Sequence, residues 1–534
     1  MRYFHRPARE AAEGPYLASA FGKNFEPFGQ LSVGADVRVG TGGTELLEID
    51  AETLAMHADS ASWAFLTRQE AAWFRQMNGK PFGAFEALTG SHELAIDFTA
   101  HLWRRGLIDL DGRRAVSAAM FDDSPNYDEG HLVELLLTEK CNLACPYCLA
   151  GASQKMPAMD ETIAMRTVDL AFRMREAQTL AFEFAGGEPF LKYGLMKSLV
   201  SYIRRHPENG GRRIFLSVQT NATLLDDERA RWLKDNDIRI GISLDGGAQA
   251  QNRSRPQVNG KESFSKLLRG IELLKKHEVA FGGLVVLNRA NIGDPQALAS
   301  FMIENQIHGF RINPVAYLGD ARRNWALVGL EQDEIVEFFR RFMREVVARK
   351  QMILEDNVHS MLSFLTSKQR RTRCMRSQCG AGDSFQSVVA NGDIYPCGRS
   401  TQSPGLKLGS IFDEGIESLS APARTHTRIA EIRTRRPRDF DDCAVCAYRQ
   451  LCQAGCSAQA WESYGTVRSR TPECTFYKTI YPWLMRWLSF DAAAFEHLER
   501  CRYFDFEGAL FVRDFDATQN GAPPAGQGRG MMVA

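Results

Sequence analysis

The stretch Cys141-Asn142-Leu143-Ala144-Cys145-Pro146-Tyr147-Cys148 sets three thiols in a C-x3-C-x2-C spacing directly after the apolar run His131–Thr138. Three thiolates on one short loop hold three corners of a 4Fe-4S cluster, which is ordinarily ligated by four cysteines. The loop contains no fourth, so one iron is left open to a small chelating ligand. A zinc loop is the competing reading. Zinc sites favour paired C-x2-C units with a second pair downstream, and C-x3-C followed at once by x2-C does not match that spacing.

Outward from this loop a period emerges. Strands are expected at His131–Thr138, Thr179–Ala185, Arg213–Gln219, Ile238–Leu244, Phe281–Leu287 and Gly309–Pro314. Between them fall helical patterns at Asp160–Arg175, Leu191–Arg204, Asp226–Lys234, Ser263–Lys276 and Pro295–Glu304. Strands rich in Ile, Val, Leu and Phe that alternate with amphipathic helices predict βα units on a parallel sheet, an α/β fold.

In such folds ligands gather at the carboxyl ends of the strands. The cysteine loop follows the first strand, and Gly186-Gly187-Glu188-Pro189 follows the second. There the glycines let backbone approach a ligand closely, and Glu188 can accept from an ammonium group. Thr220-Asn221 closes the third strand and Ser243-Leu244-Asp245-Gly246 the fourth, offering short polar side chains for a ribose or a carboxylate. Each alone is an ordinary strand end. Four in register mark a site.

A second constellation runs through Cys374, Cys379 and Cys397, continues as Cys443-x2-Cys446-x5-Cys452-x3-Cys456, and ends at Cys474. Eight thiols close two further 4Fe-4S clusters at four each. A zinc ribbon from Cys443 to Cys456 is the alternative, and it leaves Cys374, Cys379, Cys397 and Cys474 without partners. Cys501 is left over, as a buried thiol of the last helical segment.

With an aromatic residue, Tyr147, just before its third cysteine, the loop resembles those of the radical S-adenosylmethionine (SAM) enzymes, in which the methionine amine and carboxylate of SAM take the open iron. The resemblance implies a partial (β/α)6 TIM-like barrel over 131–325, with Tyr147, Gly186, Gly187, Glu188, Pro189, Asn221, Ser243 and Arg255 binding SAM. In that family the GGEP motif contacts the SAM amino group, and an arginine placed like Arg255 takes its carboxylate. Here Gln251-Asn252 replaces the His-Asp pair frequent before that arginine. The distal cysteines resemble the SPASM domain of radical SAM peptide maturases over 374–480. By that likeness one auxiliary cluster takes Cys374, Cys379, Cys397 and Cys456, the other Cys443, Cys446, Cys452 and Cys474. Three 4Fe-4S clusters, SAM and a reducing partner such as flavodoxin or ferredoxin are thereby implied. No side-chain acid or base is assigned.

Ahead of the barrel, strand-like runs around Gln30–Arg38 and Thr44–Ile49 precede helical patterns at Glu70–Met77, Phe82–Leu88 and Ile96–Arg105, closing with Gly106–Leu110. Residues 1–125 thus read as a winged-helix-like module. It resembles the small domains that bind the leader of a precursor peptide by adding a peptide strand to a sheet edge. Residues 326–370 read as bridging helices, with Glu331–Arg349 amphipathic. The basic stretch Arg428–Arg438 reads as a solvated surface loop. Residues 481–534 read as a C-terminal helix and a disordered tail.

A chain of 534 residues has room for about three domains. Lys plus Arg equals Asp plus Glu at 65 each, so nothing points to nucleic acid or an anionic membrane. The start MRYFHRPAREAAEG lacks the apolar core of a signal peptide, and no apolar run reaches the roughly 18 residues of a membrane span. A soluble cytoplasmic protein is expected, with its cysteines serving as metal ligands rather than disulfides.

The resemblance implies a peptide maturase that crosslinks or oxidises a side chain of a ribosomally made peptide. Asn252–Pro256 also resembles the maturases of His-Xaa-Ser peptide systems. The sulfatase maturases, which make formylglycine, carry an Asp directly after the cysteine that matches Cys397. Here that position is Gly398, which removes the expected proton acceptor and favours crosslinking. Formylglycine formation and a non-catalytic iron–sulfur electron carrier are the alternatives.

Overall fold

The computed structural model describes residues 33–115, 130–174, 177–367, 374 and 379–503. The expected run at 30–32, the ends of the N-terminal module and the tail expected to be disordered lie outside these residues.

The chain opens with β1 (Val39–Gly40), then a three-stranded antiparallel sheet of β2 (Thr44–Ile49), β3 (Glu52–His57) and β4 (Ser62–Leu66). Three helices follow, α1 (Arg68–Met77), α2 (Phe82–Thr89) and α3 (His92–Arg104), before β5 (Asp109–Leu110) pairs with β1. Residues 33–38, expected as strand, form none: the chain turns at Gly34, whose carbonyl takes the Val37 N–H at 3.0 Å. Helix α1 starts where Thr67 and Glu70 cap each other reciprocally, satisfying two of the first-turn donors.

The barrel strands are β6 (His131–Thr138), β7 (Thr179–Gly186), β8 (Arg213–Thr220), β9 (Arg239–Ser243), β10 (Phe281–Leu287) and β11 (Gly309–Pro314), each parallel to the next. Between them run α4 (Glu161–Phe172), α5 (Tyr193–Arg204), α6 (Asp227–Asp235), α7 (Ala248–Ser254), α8 (Phe264–Lys276) and α9 (Pro295–Glu304). Alternation decides the faces. Val133, Leu135 and Leu137 of β6, with Phe182, Phe184 and Val218, pack outward in the main core. Leu132, Ala181 and Phe215 turn to the other, inner face. Strands apolar on both faces in this way are those of a parallel sheet covered by helices.

After two short helices, α10 (Asp320–Arg323) and α11 (Trp325–Val328), comes α12 (Gln332–Ala348), which buries Ile335, Phe338, Phe339, Phe342 and Val346. Then β12 (Leu354–Glu355) extends the sheet beside β11 and leads into α13 (Asp356–Ser367). The thiol-rich C-terminal part joins the same sheet. Its first strand, β13 (Phe385–Val388), pairs in parallel with β6, and β14 (Asp393–Tyr395) and β15 (Gly409–Ser410) continue antiparallel, giving ten strands in one sheet.

The basic stretch is not a solvated loop. Residues Thr427–Thr434 are helical, Ile429 and Ile432 are buried, and Arg435 is buried with its guanidinium on the carbonyls of Ala454 and Gly455, each at 2.7 Å. Gln453, Ala454 and Gly455 all hold positive φ, at 51°, 58° and 67°. The arginine ties together the carbonyls of this unusual turn, the Ala454 carbonyl also accepting the Thr471 N–H at 2.8 Å. Such planar, five-donor recognition is what a guanidinium offers and an ammonium does not.

Candidate functional site

The loop after β6 is fixed from two sides. Its Ala144 N–H meets the Pro256 carbonyl at 2.8 Å, and the Val258 N–H meets the Asn142 carbonyl at 3.2 Å, so the segment after α7 forms one wall. The GGEP turn forms the other, with Gly187 N–H on the Thr138 carbonyl at 2.7 Å and Glu188 N–H on the Lys140 carbonyl at 2.9 Å. A Cβ on Gly186 or Gly187 would overlap the Thr138 or Lys140 carbonyl, and Gly186 has φ +127°. The two glycines are therefore required by approach to the cysteine loop itself.

Cys141 is buried; Cys145 and Cys148 keep some exposure. Backbone N–H groups of Leu143 and Ala152 point at the sulfurs of Cys141 and Cys148, each at 3.4 Å, and Asn221 Nδ2 stands 3.8 Å from Cys141 Sγ. Burial pushes the Cys141 thiol up to about 12, with the nearby Glu188 carboxyl adding to the rise, and raises Cys145 and Cys148 too. Thiols so resistant to ionisation become thiolates only against a bound cation, and three of them with N–H donors on two sulfurs fit an iron–sulfur cluster.

Glu188 is fully buried. Its oxygens accept from Thr220 Oγ1 at 2.7 Å, Asn221 N–H at 2.9 Å and Phe190 N–H at 3.1 Å, while burial lifts its carboxyl to about 7. Pro189 opens the short turn Pro189–Lys192 beneath it. Asn221 bonds Asn142 Oδ1 at 3.0 Å, so the end of β8 also touches the cysteine loop. Ser243, at the end of β9, accepts from Gln219 Nε2 at 2.8 Å.

Tyr147 donates its hydroxyl to Asp245, which is 0% exposed. Arg255 faces the same carboxylate, with Nε 3.1 Å from Oδ2 and Nη2 3.2 Å from Oδ1, and lies over the Tyr147 ring. Its guanidinium is thus neutralised within the protein. The pair that replaces His-Asp has local duties: Gln251 Oε1 accepts the Asp245 N–H at 2.8 Å, and Asn252 Oδ1 accepts from Ser263 and Phe264. Asp245 is the member that sequence reasoning undervalued, since spacing shows it only as a strand-end polar residue.

The distal thiols fall into two neighbourhoods. After burial, the groups that raise Cys397 are Cys456, Cys379 and Cys374; those that raise Cys452, to about 12 in all, are Cys443, Cys446 and Cys474. Among the described residues no three His, Cys, Asp or Glu side chains are gathered closely enough to share one metal ion. Four thiols in each neighbourhood are the donor set of a multi-iron group. Cys501 is buried apart from both, beside His497 Nε2 at 3.3 Å. A cavity of about 390 Å³ opens between Gly151 of the cysteine loop, Tyr317, Gly319 and Arg322 of the barrel rim, and Arg399 and Glu462 of the C-terminal part.

Among the described residues no helix is long and apolar enough to cross a membrane. The serine-type anaerobic sulfatase-maturating enzyme of Bacteroides thetaiotaomicron is 26% identical over 311 residues, covering 54% of this chain and 73% of its own. The cysteine-type enzyme of Clostridium perfringens is 25% identical over 328 residues, covering 59% and 85%. The solved structure of native anSMEcpe with bound AdoMet shares the fold, with a TM-score of 0.59 at 21% identity over 68% of this chain and 98% of that one. Residues 135–302 match the model of the radical SAM superfamily, and the barrel that carries the three-thiol loop is a radical SAM domain.

Proposed function

We propose that this chain is a radical SAM peptide maturase that removes two hydrogens from a side chain of a ribosomally made peptide, closing a crosslink or an unsaturated bond. The observation that carries it is the convergence of the Cys141/Cys145/Cys148 loop with the GGEP turn, Asn221, Asp245 and Arg255 at successive strand ends. Relatives named for maturing sulfatases support a polypeptide as substrate.

In this reading the three loop thiols hold the first 4Fe-4S cluster, and Tyr147, Gly186, Gly187, Glu188, Pro189, Asn221, Ser243 and Arg255 form the SAM site. Cys374, Cys379, Cys397 and Cys456 hold a second cluster and Cys443, Cys446, Cys452 and Cys474 a third, about 12 irons in all. When bound and reduced by a flavodoxin or ferredoxin, the first cluster supplies the electron that cleaves SAM to methionine and a 5'-deoxyadenosyl radical. The protein's part is orientation and exclusion of water. The three-stranded sheet β2–β3–β4 is the leader-binding element, its β2 edge exposing Glu45 and Glu48 while every residue of β4 is buried.

Reconstituted, reduced protein given SAM should release 5'-deoxyadenosine, and the short peptide encoded beside the chain should leave co-expression lighter by two hydrogens. An absence of 5'-deoxyadenosine sinks the radical assignment; formylglycine in a sulfatase-type peptide sinks the crosslinking one.

A further inference from the structure

One row of the barrel interior is unlike the rest. In register across four strands stand Ser387 of β13, Glu134 of β6, Glu183 of β7 and Ser217 of β8. They alternate with the outward apolar positions, so both carboxylates turn inward, in the layer next to Leu132, Ala181 and Phe215. Ser387 donates to Glu134, and Ser217 Oγ donates to Glu183 Oε2 at 3.2 Å. Glu183 is 5% exposed, whereas Glu134 keeps more accessible surface. The next register position, Arg239, turns onto the Phe215 ring 4.9 Å away. Among the described residues no cation acts on either carboxyl.

Two carboxylic acids set side by side in a strand interior have no packing value that Leu or Val would not exceed. Burial pushes both up, and the charge of Glu134 lifts Glu183 further, to about 8. Like charges so placed resist ionising together, so the pair binds protons more tightly than free carboxylates do.

Their position assigns a use. A Cβ on Gly398 would stand 2.6 Å from Glu134 Oε2 and 2.9 Å from Oε1. The space of a side chain at 398, directly after Cys397, is filled by the Glu134 carboxylate. Glycine is needed there because the carboxylate arrives from another element. Along β6, Glu134 also lies four residues before Thr138, about 13 Å below the three-thiol loop. It therefore sits in the lumen between that loop and the Cys374/Cys379/Cys397/Cys456 group.

We propose that the Glu134–Glu183 pair, with Glu134 foremost, is the proton acceptor for the bond-forming step of the substrate peptide. This rests on the maturase reading above. The substrate C–H hydrogen leaves in 5'-deoxyadenosine. The carbon radical then bonds to a neighbouring heteroatom, whose proton passes to Glu134; the odd electron would be taken up by the iron–sulfur centre that Cys374, Cys379, Cys397 and Cys456 would hold. That electron balances the one consumed in cleaving SAM, and the peptide ends two hydrogens lighter.

The test compares 5'-deoxyadenosine formed per modified peptide in holoenzyme whose iron content matches wild type. In E134Q and E183Q this ratio rises at least tenfold. In E134A/G398D, which returns a carboxylate to the same space from the other side, it falls back toward wild type from the value of E134A. In the full chain before SAM is added, the protonated-carboxyl infrared band at pH 7 loses amplitude in E183Q. A wild-type ratio in E134Q, an unimproved ratio in E134A/G398D, or an unaltered band in E183Q overturns the proposal. Failure of the wild type itself to alter the peptide counts against the maturase reading instead.

Discussion

At the residue scale, the site is held by a charge that the sequence hides. Asp245 gathers Tyr147, Arg255 and the Val286 N–H, the last at 2.9 Å, around one fully buried carboxylate. Substituting it with Asn leaves the Arg255 guanidinium buried without a counter-charge, a change that costs about 3–5 kcal/mol. Urea unfolding of D245N should show a loss of that size, and D245N/R255M should regain part of it by removing the stranded cation. An unaltered midpoint in D245N would mean that the ion pair contributes little. Tyr147 and Asp245 lie 98 positions apart, and neither stands in a pattern that predicts the other. By contrast the cysteines and the GGEP turn were legible, because iron ligation and close backbone approach each allow few residue types at few spacings.

At the scale of elements, β6, β10, β11 and α9 run over the residues that hydrophobic periodicity predicts, since each keeps a regular apolar pattern through its length. Where periodicity fails, the prediction did too. All five residues of β4 are buried, so Ser62–Leu66 shows no alternation to read, and α7, Ala-Gln-Ala-Gln-Asn-Arg-Ser, has no apolar stripe. The junction of β12 and α13 carries a consequence for pH. Glu355 is fully buried, accepting N–H groups of Ile312 at 2.9 Å and Val358 at 2.7 Å, and burial raises its carboxyl to about 7. A carboxyl raised in the folded state binds its proton more tightly there than when unfolded, so stability falls as pH climbs from the ordinary carboxylate range through 7. For Glu355 the full fall amounts to about 3 kcal/mol. Glu188 and Glu183, raised by burial to about 7 and about 8, act in the same direction. Chemical unfolding of the cluster-free chain should therefore give a higher midpoint at pH 5 than at pH 8, and E355Q should flatten the slope. Equal midpoints would contradict the burial of these carboxyls.

At the scale of the molecule, the N-terminal sheet does not stand apart. Leu54, Met56, Trp63 and Phe65 belong to the same core as the barrel helices and the C-terminal helix Cys474–Phe490. Trp63 Nε1 donates to the Leu365 carbonyl at 3.3 Å, Phe65 meets Phe490 edge-on at 5.2 Å, and Arg449 holds Asp59 at 2.8 Å. Removing such a wholly buried indole leaves a cavity that costs about 3–5 kcal/mol. Trp63→Ala should lower the melting temperature of the entire chain in a single transition; a separate early transition, with the rest unmoved, would show that the sheet folds alone.

The parallel pairing of β13 with β6 also sets a schedule for synthesis. Leu132 finds its β13 partner, Phe385, some 250 positions later in the chain. At about 5–20 residues per second, one margin of the nascent barrel waits roughly 12–50 s for its neighbour, with backbone donors and acceptors open to any passing strand. The chain thus emerges from the ribosome with the loop after β6 beside a raw edge, and its soluble yield is expected to rise when a chaperone is co-expressed, because the sheet is closed from the far end.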